Sequence, residues 1–200
     1  GLVRSVSQPR TNVTGLFLDQ PAFAGKWFEL VKQVVPKARQ VNLLWDSSTG
    51  PWQLAAAKAA AQRQGFDIDT LVVRDESEFE RELIDGLRRK PDALVLLSSP
   101  LVRARSRQIA EFSMKNRLPT ISPFSEFTQA GGLMSYGPDV RDFYLRAAAF
   151  VDKVLKGARV GDLPLSMPNQ FRLVLNPRAA RALGLTLPPE LRAASNELSE

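Results

Sequence analysis

The sequence predicts an α/β fold with a doubly wound, parallel sheet. Apolar runs of strand length recur about every 25 residues, and helical patterns fill the intervals between them. Residues 41–45 and 93–97 are largely apolar, as expected of strands that are buried on both faces. Alternation of strands and helices favours parallel strands that are joined by right-handed crossovers.

Local signals define each element in turn. The first helix carries one apolar face and ends at Pro36, and the second is alanine-rich and is capped by Gly65. The predicted strands are residues 13–18, 41–45, 68–73, 93–97, 120–121, 133–137 and 171–175. The predicted helices lie near residues 19–35, 53–64, 75–87, 100–116, 139–156 and 177–183. A tail that begins at Pro188 is expected to be helical or frayed.

Residues 130–137 and the helix that follows them are the feature around which we expect the chain to be organised. Asp139 and Asp142 lie in the first turn of this helix, where carboxylates interact favourably with the helix dipole, and Gly157 ends it. Its apolar positions recur at three- and four-residue steps and form a broad face. They are Val140, Phe143, Tyr144, Ala147, Ala148, Val151, Val154 and Leu155.

Composition excludes several kinds of chemistry. The chain contains neither cysteine nor histidine, so disulfides, thiolate metal sites and serine–histidine triads are impossible. The sequence has no glycine-rich nucleotide-binding loop and no cluster of acidic residues, so we expect no cofactor, no metal and no catalytic residues. The net charge is +6, but the arginines are dispersed, and we interpret them as a solvated surface rather than a nucleic-acid interface.

Small polar and aromatic residues follow the predicted strands. In a parallel sheet the carboxyl ends of the strands lie side by side along one edge, where open α/β folds usually bind ligands. Such side chains suit a small polar ligand that is held without chemistry, although each of them is also an ordinary loop or N-cap residue. The predicted ligand-binding residues at this edge are Asp46, Ser47, Ser48, Ser98, Ser99, Ser122, Phe124 and Tyr136.

Motifs spread through nearly the whole chain carry a family resemblance. They are residues 12–16, 24–32, 41–46, 92–100, 117–119, 130–139, 151–157, 162–164, 171–176 and 182–188. In this order they resemble the ABC-transporter substrate-binding protein family that is related to tryptophan and tyrosine uptake proteins. No single motif is decisive, but their order along the chain is specific.

The resemblance implies a type I periplasmic-binding-protein fold, in which two α/β lobes close on a ligand by hinge motion. We expect residues 1–18 to be a connector and crossover strand, and residues 19–130 to form the C-terminal lobe. Residues 131–165 would belong to an N-terminal lobe that is otherwise largely absent, and residues 166–200 would form the return crossover and tail. The implied function is non-catalytic solute binding in an interlobe cleft, outside the cytoplasm, for an ABC permease.

Two positions depart from the pattern of the aromatic-amino-acid binders in this group. Those proteins tend to carry Ser-Asp where Phe17 and Leu18 stand here, and Asp19 follows one place later. We include Asp19 among the predicted ligand-binding residues. The loop of Ser98, Ser99 and Pro100 replaces a Pro-Thr-Asp-like loop, so the ligand is expected to be amino-acid-like or another small polar solute.

The apolar helix at residues 139–156 has a separate implication. Its face would normally pack on sheet residues that this chain does not contain, so we expect it to pack on the chain's own C-terminal lobe or to form a homodimer. Two other functions remain open. One is the ligand-sensing effector domain of a transcription regulator, and the other is an enzyme that uses no histidine.

Overall fold

The computed structural model describes residues 5–17 and 23–199. The described chain divides into two compact units. The larger unit contains residues 23–137 and 172–199, and the smaller unit combines residues 5–17 with residues 138–171. Each unit is therefore built from segments that are distant in the sequence.

A seven-stranded sheet forms the centre of the larger unit, with the strand order β2-β1-β3-β4-β5-β6-β7. β1 pairs in parallel with β2 and β3, β3 with β4, β4 with β5, and β6 with β7. The strands are β1 (Gln40–Asp46), β2 (Asp67–Val73), β3 (Ala93–Leu96), β4 (Thr120–Ser122), β5 (Met134–Pro138), β6 (Phe171–Leu175) and β7 (Glu197–Leu198). This arrangement confirms the predicted α/β class with a parallel sheet.

The described residues form nine α-helices. They are α1 (Ala24–Val34), α2 (Trp52–Arg63), α3 (Phe79–Gly86), α4 (Pro100–Ala104), α5 (Ser106–Lys115), α6 (Ser125–Gln129), α7 (Val140–Leu155), α8 (Pro177–Ala182) and α9 (Pro189–Ala193). Short 3-10 helices lie at Ser47–Thr49, Leu87–Arg89 and Val160–Asp162. α7 belongs to the smaller unit, and the other eight helices belong to the larger one.

The core of the larger unit lies on both faces of the sheet. All four residues of β3 are buried, which is the pattern expected for a central parallel strand. α1 buries the apolar face that its sequence predicts: Trp27 is fully buried, contacts Phe23 edge to face, and donates its indole N–H to the carbonyl oxygen of Tyr136 at 2.8 Å. The hydrogen bond from Trp27 to Tyr136 therefore anchors α1 to β5.

The smaller unit contains α7 and the segments on either side of it. Asp139 caps α7 by accepting the backbone N–H groups of Arg141 and Asp142, as the sequence indicates. Arg146 reaches from the helix to the carbonyl oxygen of Met167, to Asn169 and to Ser166. Thr14 donates its hydroxyl to the carbonyl oxygen of Leu163 at 2.7 Å. These hydrogen bonds join α7 and Thr14 to residues 163–169 within the smaller unit.

Two local predictions differ from the structure. Of the strand predicted at residues 13–18, the described residues form only one bridge, between Leu16 and Ser166. The helix predicted at residues 100–116 is two helices, because Arg105 departs from helical geometry between them. β5 pairs with β4 and the larger unit extends to residue 137, while the assignment of residues 131–165 to an N-terminal lobe stays a prediction.

Candidate functional site

The candidate site lies at the carboxyl edge of the sheet in the larger unit. β2 lies on one side of β1 and β3 on the other, so the direction of winding reverses at β1. Ligands of open α/β sheets bind in the crevice outside such a switch point. The loops that follow β1 and β3 therefore form the centre of the candidate site.

The loop after β1 is held by its own polar groups. Asp46 is buried, and its Oδ1 accepts the backbone N–H of Ser48 at 2.9 Å and the hydroxyl of Ser48 at 2.6 Å. Thr49 donates its hydroxyl to the carbonyl oxygen of Asp46, and Trp45 donates its indole N–H to the carbonyl oxygen of Gly50. Asp46 thus shapes the loop, while Ser47 is half-buried and Ser48 is exposed.

The loop after β3 is tied to the helix that follows β1. Gln53, the second residue of α2, accepts the backbone N–H of Ser98 through Oε1 at 2.7 Å. Ser99 is buried and accepts the backbone N–H of Val102 at 3.0 Å, so it is the N-cap of α4. Ser98 is half-buried. The two loops on either side of the switch point are therefore joined directly.

The predicted residues after β4 are part of the protein interior. Ser122 is buried and accepts the backbone N–H of Phe124 at 3.0 Å. Phe124 belongs to the hydrophobic core, and the guanidinium of Arg103 lies 5.7 Å from the centre of its ring. Arg103 also donates from Nε to Glu126 at 2.9 Å. These contacts give Ser122 and Phe124 structural roles.

Tyr136 lies on β5, beyond β4 in the sheet. It is half-buried, and burial raises the pKa of its phenol above the ordinary value of 10.0. The positive charge of Lys26 opposes this shift, and the negative charge of Glu29 adds to it. Gly137 follows, and a Cβ at this position would lie 1.9 Å from the carbonyl oxygen of Pro123. Only glycine allows β5 and the loop after β4 to approach so closely.

The structure therefore separates the predicted residues into three groups. Ser47, Ser48 and Ser98 are at least partly accessible at the switch point, and Tyr136 is partly accessible on β5. The side chains of Asp46, Ser99, Ser122 and Phe124 are buried in loops or core. Asp19 lies outside the described residues. A ligand-binding role for any of them stays a prediction.

Two residues at the switch point were not predicted. Trp52 is 80% exposed at the start of α2, and the adjacent Gln53 is buried and holds the backbone of Ser98. A polar residue in the first turn of an alanine-rich helix is a weak sequence signal for Gln53. No sequence pattern distinguishes Trp52, because its exposure depends on which side of α2 faces the sheet.

Other recesses lie away from the predicted residues. One, of about 350 Å³, lies on α7 in the smaller unit, against residues 14–16. We call its helical side the α7 apolar face, made of Phe143, Ala147, Phe150, Val151, Val154 and Leu155. Two more flank α8, with volumes of about 270 and 330 Å³, and both include Arg181. None of the predicted ligand-binding residues lines these three recesses.

Within the described residues, no group of three or more acidic side chains is arranged to hold a metal ion. None of the helices in that part of the chain is long and apolar enough to cross a membrane.

Comparison with known families identifies the chain. The family model described as ABC transporter substrate binding protein matches residues 1–198. The chain belongs to this family. The match confirms the resemblance drawn from the sequence motifs, and the role of the family is substrate binding for ABC transporters.

Individual relatives agree with the family assignment. The tyrosine-binding protein of Clostridioides difficile is 25% identical over 191 residues, which are 92% of this chain and 53% of that protein. The chain thus spans about half the length of this relative. An ABC domain in complex with L-Trp, from Streptococcus pneumoniae, has a TM-score of 0.89 at 24% identity, covering 98% of this chain and 68% of that one.

Two further solved structures bear on the fold. A conserved domain protein from Vibrio cholerae has a TM-score of 0.89 at 21% identity, covering 99% of this chain and 67% of that chain. These likenesses confirm the type I periplasmic-binding-protein fold. A LacI-family repressor from Corynebacterium glutamicum has a TM-score of 0.55 at 16% identity, covering 82% of this chain and 71% of its own. That weaker likeness concerns the fold alone.

Proposed function

We propose that this substrate-binding protein holds a small, amino-acid-like solute at the carboxyl edge of its sheet and delivers it to an ABC permease. The observation that carries the proposal is the family match over residues 1–198. The strand order supports the location, because the loops after β1 and β3 lie at the switch point of the sheet.

The names of the relatives support an amino-acid ligand. One matched relative is a tyrosine-binding protein, and one structural neighbour is a complex with L-Trp. The accessible hydroxyls of Ser47, Ser48 and Ser98 can hydrogen-bond the polar groups of an amino acid. Such a ligand would be bound and released unchanged, and we propose that the protein works outside the cytoplasm.

We further propose that the two units correspond to the two lobes of the family fold. The larger unit would be the C-terminal lobe, and the smaller unit would be part of the N-terminal lobe. The α7 apolar face supports this assignment, because it leaves Val151 and Leu155 exposed over a recess that is lined largely by apolar side chains. In our proposal, either further N-terminal-lobe residues or a second copy of the chain covers this face.

A thermal-shift panel tests the binding function. The unmodified chain is heated with L-tyrosine, L-tryptophan, L-leucine or succinate over a range of concentrations. A ligand that binds only the folded state adds about 2.7 kcal/mol of stability at one hundred times its Kd, so the melting temperature should rise with amino-acid concentration. An unchanged melting temperature with all three amino acids would contradict the proposal.

Native mass spectrometry tests the dimer. If the α7 apolar face joins two copies, Val151→Glu should convert a dimer to a monomer, because a charge would be buried in the contact. Leu145→Glu is the matched control, since Leu145 is also exposed on α7 but does not line the recess. A monomeric parent chain, or equal effects of the two substitutions, would argue against the dimer.

A further inference from the structure

Gln53 differs from the other buried residues of α2. Within this helix, all of which the structure describes, the buried residues are Gln53, Ala57, Ala60 and Ala61, and Gln53 is 4% exposed. An amide that is removed from water costs free energy unless its polar atoms are hydrogen-bonded, whereas an apolar side chain at the same place carries no such cost. Packing alone therefore does not call for a glutamine here, and its hydrogen bonding distinguishes it from an apolar residue.

Gln53 holds the chain just beyond the end of β3. Leu97, the residue after β3, donates its backbone N–H to the carbonyl oxygen of Leu44 on β1 at 3.0 Å. At the next residue the acceptor is a side chain, because Oε1 of Gln53 accepts the backbone N–H of Ser98 at 2.7 Å. Ser99 then caps α4. Ser98 thus lies between a contact with β1 and a helix cap, and Gln53 holds its own backbone.

The same glutamine is directly connected to the loop after β1. Two residues separate the 3-10 turn at Ser47–Thr49 from α2, in which Gln53 is the second residue. Asp46 fixes that turn by accepting the backbone N–H and the hydroxyl of Ser48. The side chain of Gln53 therefore sets the separation between this turn and Ser98, which lie on the two sides of the switch point.

We propose that Gln53 is a positioning residue for the candidate ligand site. A solute that contacts both loops binds most tightly when their spacing is already correct, because no binding free energy is then lost to ordering the loops. Gln53 maintains that spacing through the backbone of Ser98 and acts without contacting the solute itself. This inference rests on the proposed amino-acid-binding function and adds to it the residue that preorganises the site.

Three variants of the full chain test the inference. Gln53→Leu removes the acceptor with little change in volume, and Gln53→Glu keeps an acceptor oxygen at the same reach. Asn42→Leu is the matched control, because Asn42 is also a buried amide of the larger unit and donates from Nδ2 to the carbonyl oxygen of Gly86 on α3 at 2.9 Å. L-tyrosine, L-tryptophan and L-leucine are titrated calorimetrically into each protein. The melting temperature and the hydrogen exchange of the Ser98 amide are measured without a solute.

The expected results separate positioning from stability. In Gln53→Leu the Ser98 amide should exchange about tenfold faster or more, and the tightest-binding of the three amino acids should have a Kd about tenfold weaker. In Gln53→Glu the Kd should stay within about threefold of the parent value. Asn42→Leu should lower the melting temperature by a similar amount to Gln53→Leu, since each leaves a buried backbone group without its partner. Its Kd should nevertheless stay within about twofold of the parent value.

The outcomes also separate this inference from the proposed function. If the parent chain binds an amino acid and Gln53→Leu binds it equally well, or if Gln53→Leu and Asn42→Leu weaken binding equally, the inference is wrong and the binding function stands. If the parent chain binds none of the three amino acids, the proposed function is wrong and the inference falls with it. Should Gln53→Leu fail to fold, Gln53→Asn replaces it with the same expected loss of affinity, because its shorter side chain cannot reach the backbone of Ser98.

Discussion

α1 and α7 have similar sequence patterns and different surroundings. Both are amphipathic helices whose apolar residues recur at three- and four-residue steps. α1 has 11 residues, of which six are buried, whereas none of the 16 residues of α7 is buried. α1 packs in the unit that contains the seven-stranded sheet. α7 lies in the smaller unit, where it is the single α-helix among the described residues.

The comparison separates what the apolar periodicity of a helix predicts from what the surrounding structure must supply. Apolar periodicity is sufficient to predict that a helix forms and which side of it is apolar. Burial of that side requires a complementary surface, because the hydrophobic gain is proportional to the apolar area removed from water. The larger unit supplies such a surface for α1. The α7 apolar face is expected to need one from elsewhere.

The largest expected effect is on the free energy of unfolding, when one apolar side chain of each helix is replaced by alanine. Trp27→Ala should lower the free energy of unfolding by about 3–5 kcal/mol, because it opens a cavity and removes the hydrogen bond to Tyr136. Leu155→Ala should change it by less than about 0.5 kcal/mol, since Leu155 is 81% exposed. Urea unfolding followed by circular dichroism measures both. A cost above 2 kcal/mol for Leu155→Ala would show that the α7 apolar face is already covered.

Glycine substitutions give a smaller contrast between the units. Gly137→Ala should destabilise the chain by about 3 kcal/mol, because a Cβ there would overlap the carbonyl oxygen of Pro123. Gly157→Ala should cost about 1 kcal/mol, since Gly157 has a φ of +94° but no atom within 4 Å of the added carbon. The same urea experiment measures both costs and tests whether Gly137→Ala is the more destabilising substitution. Equal costs would contradict the close approach of β5 to the loop after β4.

The smallest expected effect concerns the ionisation of Tyr136. Burial raises the pKa of its phenol in the folded state, so the folded chain holds this proton more tightly than the unfolded chain does. The associated stability is present below pH 10.0 and is lost as the pH rises through the folded-state pKa.

Alkaline denaturation can isolate this effect. In a Tyr144→Phe background, Tyr136 is the remaining tyrosine, and its ultraviolet absorbance reports its ionisation. We expect a midpoint above 10.0 that moves down when urea unfolds the chain. Adding Tyr136→Phe should remove the corresponding loss of stability at high pH. An identical midpoint in folded and unfolded chains would rule out the effect of burial.

The sequence predicted the elements with strong local signals and missed those without them. β3 and the buried face of α1 follow directly from apolar runs and helical periodicity. α6 and β7 were missed, because five and two residues are too few to show a period. The predicted helix at residues 100–116 concealed a break at Arg105, where no glycine or proline marks it.

The candidate site shows the same division. The sequence placed polar residues after β1, β3 and β4, and the strand order brings the first two loops together at the switch point. It could not distinguish the buried Ser99, which caps α4, and the buried Ser122, which accepts the backbone N–H of Phe124, from Ser98, whose side chain is partly accessible. Loop residues and ligand-binding residues are of the same types. A hydroxyl or a carboxylate can accept a hydrogen bond from a backbone N–H, and it can equally accept one from a ligand.

The sequence by itself determined the α/β class, the family, and the positions of most strands and helices. These properties depend on composition and on short-range periodicity, which each segment carries independently of the rest. The tertiary structure decided that Trp52 faces outward at the switch point while Trp27 is buried, and that α7 keeps its apolar face exposed. Burial depends on contacts between segments that are distant in the chain, and no local pattern specifies those contacts.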